Sequence, residues 1–406
     1  MLESKKSLLT GNKSQVGKKQ SKSFLQPKSF SSTGISGTLT STYLQPTNYE
    51  PTVSKPYETP QNAFKLLFND INNANLLVGD ASNVSDWNYF LNLPALGNPF
   101  TSVEVLGNEV KLYGGSNIKV KPALMYNEGY QYLVSIVDEI GCITSVGGDA
   151  FSYCELLTSV SLPECTIIYG YEDSPYDDYG GFGGCQALAN INIPKLVTLG
   201  SYALSDNISI STSLNFPLLT TIADGGLSYL SNATSINLPS LETIGASGLS
   251  GNNAVTSFVL PNVSLIGDYA FAGCSSLTTI SLPKLTTAGN RCFYYCTSLA
   301  SISLPILETA GDYCFTDCSS LTTINLPVLV SAGIACFVDC SSLTTINLPQ
   351  CINLGPDCFD SMVFANIIGN TITLTVPSAL MTCNSGNPDG DIQELQANNT
   401  VTVITV

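Results

Sequence analysis

The chain has 406 residues, of which only 11% are charged, and its 15 basic and 31 acidic side chains give a formal net charge of −16. Histidine is absent and Arg291 is the sole arginine, so the commonest general base, metal ligand and bidentate phosphate clamp are almost wholly missing, and Ser/His/Asp or Cys/His catalysis is excluded. Met1 to Lys65 carries nine lysines against Glu3, Glu50 and Glu58, a net +6 that leaves −22 on the remainder, a body that repels phosphate and argues against nucleic-acid binding.

From Met1 to about Pro60 the sequence is rich in Ser, Thr, Gln, Lys, Gly and Pro and keeps no period of 2 or 3.6. Residues 1–60 read as a flexible basic tether, able to dock on an acidic partner surface. The opening MLESKKSLLTGNKSQVGKKQ has positive charge but no apolar stretch behind it, so a secretory signal of the usual form is not expected. No stretch of the chain is apolar for long enough to span a membrane.

Residues 61–141 are not repetitive and read as a small α+β N-terminal cap. Phe64, Leu67, Ile71 and Asn75 fall at helical spacing, which predicts a helix over Asn62 to Leu77. Val103 and Val105, then Val110 and Leu112, alternate about Gly107-Asn108 and predict a β-hairpin. An array end exposes core that such elements can cover.

Residues 142–359 are a repeat array. Apolar-Pro pairs recur at Ile193-Pro194, Phe216-Pro217, Leu238-Pro239, Leu260-Pro261, Leu282-Pro283, Leu304-Pro305, Leu326-Pro327 and Leu348-Pro349; after a first interval of 23 every spacing is 22. In the unit Ser276-Leu-Thr-Thr-Ile-Ser-Leu-Pro, Ile280 and Leu282 share one side of a strand and Ser281 faces the other, and Pro283 ends the strand by removing a donor. A glycine recurs at Gly245, Gly267, Gly289, Gly311, Gly333 and Gly355, for which a turn with positive φ is the simplest reason. Phe271, Phe293, Phe315, Phe337 and Phe359 also recur at 22 and predict a buried aromatic row with rings about 5 Å apart.

The unit L-x-x-I-x-L-P-x-L-x-x-x-G-x-x-[AC]-F-x-x-C resembles the BspA-like class of leucine-rich repeats. The resemblance covers roughly Ile143 to Phe359. It implies a right-handed leucine-rich-repeat solenoid of period 22 with a parallel sheet on one face, and a place among surface-exposed adhesion proteins. Units between Thr198 and Gly251 depart from the pattern, with Leu204, Leu227 and Leu249 where Phe is usual, and looser local packing is expected there. The alternating stretches after Ile372 and Val401 predict a β-rich C-terminal cap over 360–406. Repeats combined with a basic tether and no signal also resemble leucine-rich-repeat proteins encoded by bacteriophages.

Cys292, Cys314, Cys336 and Cys358 form one ladder of the repeat period, and Cys274, Cys296, Cys318 and Cys340 another. Buried core thiols are the favoured reading, since neighbouring rungs hold Cβ vectors parallel and the ladders spread along an axis instead of converging on a metal. A longer interval holds the insertion Tyr169 to Gly181, in which Tyr169, Tyr171, Asp173, Tyr176, Asp177, Asp178 and Tyr179 have the composition of a recognition loop. Partner contact, a calcium site that also uses Glu172, and a plain solvated loop are the three readings of it. Asn387-Pro-Asp-Gly-Asp reads as a turn before it reads as a calcium loop. The row Thr278, Thr279, Thr322, Thr323, Thr344 and Thr345 faces either glycans, a protein edge or only water.

These readings lead to the expectation of a non-enzymatic virion structural or attachment protein, a component of a phage tail, fibre or capsid decoration. The tether would meet other virion proteins and the solenoid a host-surface protein or glycan. A bacterial cell-surface adhesin and an internal virion scaffold are the alternatives. No cofactor, metal, nucleic acid or membrane insertion is called for, and a homo-oligomer is compatible with the form.

Overall fold

A 22-residue unit has too few neighbours to bury its own apolar side chains, and in the computed structural model stacking of units supplies them. The structure describes residues 63–78, 81–91, 100–120, 132–148, 150–170, 180–359, 371–381 and 389–406; the tether expected over 1–60 lies outside them. In the coil that begins at Leu277, the strand Thr279–Ser281 points Ile280 inward and leaves Thr279 and Ser281 exposed. The Leu285 amide then donates to the Leu282 carbonyl at 3.2 Å, closing a turn in which Pro283 takes the second position, where its fixed φ fits. A second strand, Thr287–Ala288, buries Ala288. The chain finally crosses a third, strand-free side where Cys292, Phe293 and Cys296 are buried.

All three sides are tied to the next coil. Thr279, Ile280 and Ser281 pair in parallel with Ser301, Ile302 and Ser303, and Thr287 and Ala288 with Thr309 and Ala310. Beside the parallel sheet expected on one face there is therefore a second parallel ladder, built here of two-residue strands. On the turn side the amides of Phe271, Phe293, Phe315 and Phe337 donate to the carbonyls of Cys292, Cys314, Cys336 and Cys358 at 2.8–2.9 Å. The backbone polar groups on this side are thus satisfied along the stack, as burial requires.

The aromatic row forms as expected. Consecutive rings from Phe271 to Phe337 stack with centroids 5.4 Å apart and nearly parallel planes, and Phe337 stands 5.6 Å from Phe359. Phe151 and Phe182 stack at 5.2 Å in the first coils. Leu204, Leu227 and Leu249, which interrupt the row, are as buried as the rings, so the expected looseness has no counterpart in their exposure.

The recurring glycine has a different cause from the one expected. Gly289, Gly311, Gly333 and Gly355 do not adopt positive φ; a Cβ on Gly289 would sit 2.7–2.8 Å from atoms of Gly267 and Asp268 in the preceding coil. Close approach of two backbones selects glycine here. Positive φ falls two residues later, on Tyr269, Arg291, Tyr313, Ala335 and Asp357.

The ends depart from expectation more. The stretch assigned to one helix splits into a strand, Phe64–Phe68, and a helix, Ile71–Val78. Phe64, Leu66 and Phe68 are buried while Leu67 is exposed, so period 2 prevails over the helical spacing. The hairpin of Ser102–Leu106 and Glu109–Tyr113 forms as expected, with Val103 opposite Leu112 and Val105 opposite Val110. An unanticipated helix, Val84–Leu91, buries Trp87, whose indole N–H donates to the Ala81 carbonyl at 2.9 Å. The strand Leu133–Asp138 joins cap to array: it is antiparallel to Phe64–Phe68 on one edge and parallel to Ser159–Ser161 on the other.

At the far end Thr371–Val376 pairs in parallel with Thr345–Asn347 and with Thr400–Thr405. Between the two terminal strands lies an unexpected helix, Gly390–Asn398, capped by the Asp389 side chain. The predicted Asp-Gly turn is therefore a helix start. Asp391 in its first turn accepts the Cys358 amide at 2.6 Å and so closes the last coil; burial raises its carboxyl to about 6.

The leucines already present in the aromatic row set the expected tolerance. Phe315→Ala should cost about 3–5 kcal/mol of stability through the cavity it leaves, whereas Phe315→Leu should cost much less. Chemical unfolding of both variants checks this, and equal losses would show that the row is not packed as described.

Candidate functional site

Two outward surfaces are built by the repeat. On the three-residue ladder, the outward positions from Ser159 and Ser161 to Thr345 and Asn347 are Ser, Thr or Asn, with Val259 the single exception. No charge stands among them. Their side chains bond along the stack, Asn237 to Asn215 at 2.8 Å, Asn347 to Asn325 at 2.6 Å and Ser235 to Ser213 at 2.7 Å. Thr278 and Thr344, from the row singled out in sequence, give their hydroxyls to the carbonyls of Thr256 and Thr322 at 3.1 and 3.2 Å.

The turn side carries the aromatics. Here the amides of Tyr269, Phe271 and Gly273 donate to the next coil, at Asn290, Cys292 and Tyr294, while those of Ala272 and Cys274 close turns onto Tyr269 and Phe271 of their own coil. With the alternation go two residues at positive φ in most coils, such as Tyr269 and Gly273 or Arg291 and Tyr295. In one such row Tyr269, Arg291 and Tyr313 are successive rungs. The Arg291 guanidinium donates to the Tyr269 hydroxyl at 2.7 Å and lies 5.4 Å from that ring's centre and 4.6 Å from the ring centre of Tyr313, a cation held between two aromatic faces.

The other positive-φ row runs Tyr229, Gly251, Gly273, Tyr295. Two glycines between two tyrosines open a cleft of about 550 Å³, a volume in the range of small-ligand sites. Tyr269 and the adjacent pair Tyr294 and Tyr295 wall it, the pair packed edge to face with centroids 4.5 Å apart. Burial, with the neighbouring Tyr295, holds the Tyr294 phenol above its ordinary value. These residues occupy the variable positions of the repeat, and only aligning those positions at 22 would have exposed them in the sequence.

The insertion expected to contact a partner is described only at its rim. Tyr169 is exposed and its amide donates to the Val146 carbonyl at 2.8 Å; Tyr171, Asp173, Tyr176, Asp177, Asp178 and Tyr179 lie outside the described residues. The insertion leaves at Gly170 and returns at Gly180, at the corner between the two-residue ladder and the turn side. Tyr169 is not among the residues that line the tyrosine cleft.

The cysteines of the described residues are free and buried, and no His, Cys, Asp or Glu cluster fit for a metal occurs among those residues. One ladder has a polar duty that spacing did not reveal. Cys274, Cys296, Cys318 and Cys340 donate their thiol protons to the carbonyls of Leu249, Phe271, Phe293 and Phe315 at 3.1–3.3 Å. Asn207 and Asn252 do the same from the equivalent place, to Phe182 and Leu227 at 3.2 and 3.0 Å. The other ladder continues into Ala270, Gly248 and Gly226 and needs only small side chains.

Set beside known proteins, residues 178–264 and 242–366 match the BspA type leucine rich repeat region, in six copies. Over residues 178–366 the repeats are thus similar to the BspA type of leucine-rich repeat. Similar solved structures are a leucine-rich repeat protein from Bacteroides ovatus (18% identity, 78% of this chain and 91% of that one, TM-score 0.33), one from Eubacterium ventriosum (20%, 52% and 72%, 0.33) and a leucine rich cell surface protein from Faecalibacterium prausnitzii (16%, 74% and 90%, 0.31). No curated protein matches the sequence. None of these findings links the chain to a bacteriophage, and the fold is that of a leucine-rich-repeat solenoid.

The buried thiols predict a pH response. Burial lifts Cys165 and Cys274 to about 12 and Cys351 to about 11, and holds Cys292 and Cys314 well above their ordinary value. Above about pH 8.5 an unfolded thiol loses its proton while the folded one keeps it, so stability falls with rising pH by up to about 1.4 kcal/mol per unit for each thiol. The melting temperature should drop steeply above about pH 9, and less steeply in a Cys292→Ala, Cys314→Ala variant. A flat profile, or alkylation of these thiols in the native protein, would contradict the burial.

Proposed function

We propose that the chain is a non-enzymatic, surface-displayed binding protein of a bacterial cell, whose coils present the ligand-facing surfaces and whose residues 1–60 tether it. The observation that carries this reading is the uncharged outward face, kept as Ser, Thr and Asn through coil after coil while the apolar side chains of the same strands vanish inward. A scaffold that merely needed solubility would place charge there, as acidic and basic side chains are the ordinary means of keeping a surface wet and apart from its neighbours. An uncharged, hydrogen-bonding surface beside a tyrosine-walled cleft suits contact instead.

The BspA-type repeats support a cell-surface setting, because the resemblance carries that of surface-exposed adhesion proteins. The virion setting expected from sequence has no comparable support. Thiols enclosed in the core also suit an oxidising exterior: cross-linking needs an exposed thiolate, which burial suppresses. Among the described residues no helix is long and apolar enough to cross a membrane, so in this reading attachment runs through the tether.

Protease added to intact producing cells should degrade the chain. Deleting residues 1–60 should release it from the cell fraction without lowering the melting temperature of the coils. Full protection from protease, or retention of the truncated chain on the cell, would refute the display or the tether respectively.

A further inference from the structure

We infer that the cleft between Tyr229 and Tyr295 is a binding site for an uncharged sugar unit of a glycan chain. The assignment deepens the surface-binding reading and rests on it.

The first observation is a vacancy of defined shape. In the row Tyr229, Gly251, Gly273, Tyr295, the Tyr229 ring lies back over Gly251, so that a Cβ there would meet the ring at 2.5 Å. Tyr153 covers Gly184 in the same manner, with ring atoms 3.2–3.4 Å from a Cβ built there. Gly273 alone of these glycines has no ring over it: its Cβ would meet nothing nearer than the Gly251 backbone at 3.9 Å. A flat ring is thus supplied by the protein over two of these glycines, and over the third there is space for one supplied by a ligand.

The second observation concerns polarity. Beside the tyrosines, the cleft is bordered by Ser250, Asn253, Ser275 and Thr297, and no charged side chain lines it. A neutral ligand with apolar faces and a rim of hydroxyls matches such a lining: C–H faces rest on tyrosine rings and hydroxyl edges meet Ser, Thr and Asn. A charged ligand would lose hydration without a counter-charge among the lining residues.

The third is an unused donor. Ser205 and Ser228 give their hydroxyls to the carbonyls of Tyr202 and Gly225, at 3.1 and 2.8 Å. Ser250 holds the same place in the next coil, is buried, and its hydroxyl has no hydrogen-bond partner. It lines this cleft, and leaving a buried hydroxyl unpaired costs about 1–3 kcal/mol; rotation about the Cα–Cβ bond would bring the hydroxyl to a ligand and remove that cost.

Chain length adds direction. Tyr229 and Tyr295 are three coils apart, and one coil advances by the 5.4 Å that separates neighbouring phenylalanine rings. The span thus admits more than one sugar unit laid along the stack.

The test uses the full chain on an array of neutral, sialylated and sulfated glycans. Binding should fall on neutral glycans and persist at high salt. Gly273→Tyr should weaken it about tenfold or more, by filling the open space over Gly273 with a Cβ and narrowing the cleft toward Tyr295. Gly273 stands at φ 72°, so the change carries left-handed backbone strain, of the kind that Tyr229 and Tyr295 already bear at 57° and 59° in the same row. Tyr295→Ala should weaken it comparably, and both variants should melt with the parent. The assignment is overturned by a blank array, by binding confined to acidic glycans and abolished by salt, by neutral binding that both variants retain, or by competition from an aromatic peptide and not from sugars. Protease-accessible display on cells together with a blank array would leave the surface reading standing and this one refuted.

Discussion

Every other feature depends on successive coils superposing their side chains at an interval of 22. A parallel strand of two or three residues contributes little alone, and each phenylalanine ring could not be buried within its own unit. Stacked, the same ring becomes floor and ceiling for its neighbours at 5.4 Å, and on the turn side main-chain bonds to the next coil alternate with bonds within the coil. Stability in such an array is a sum of nearest-neighbour interfaces, so its ends must be covered. The strand Leu133–Asp138 and the Asp391 carboxylate do that at opposite ends, by different means.

The same superposition creates surfaces that no single coil has. A serine or asparagine facing outward is unremarkable once; repeated at each rung it forms hydrogen-bonded rows such as Asn325 with Asn347. Substitution within a row then writes specificity at little structural cost. Glycine in place of tyrosine at two rungs opens the cleft, and arginine between two tyrosines closes the neighbouring row. The inner rows vary within narrower limits: the donor row keeps Cys or Asn at Asn207, Asn252, Cys274, Cys296, Cys318 and Cys340, with the buried Leu230 as the interruption.

The interior was legible in the sequence and the surface was not, for one reason. Core positions repeat their chemistry, so Phe271 to Phe359 and the two cysteine ladders announce themselves by spacing. Tyr229, Tyr269 and Tyr295 sit where neighbouring units hold Gly, Ser, Arg or Asp, so spacing alone does not single them out. Glycine was read correctly as a constraint but assigned the wrong one: Gly289 answers to a backbone pressed against it and not to its own φ. At the N-terminal end Phe64-Lys-Leu-Leu-Phe satisfies both strand and helix spacing, and only the partners Glu109–Tyr113 and Leu133–Asp138, distant in sequence, decide between them. The insertion from Tyr169, prominent in the sequence for its tyrosines, meets the described structure only at its two ends, while the tyrosines that gather into a cleft come from three different coils.

The central claim is that register, and not any one contact, holds the coils together. Excision of Pro283 to Leu304 removes one whole unit of 22 residues and joins Leu282 to Pro305, preserving the repeat across the junction. That shortened chain should unfold cooperatively with a midpoint near the parent's, while a deletion one residue shorter at the same place should lose the transition. Equal behaviour of the two deletions, in either direction, would contradict the account.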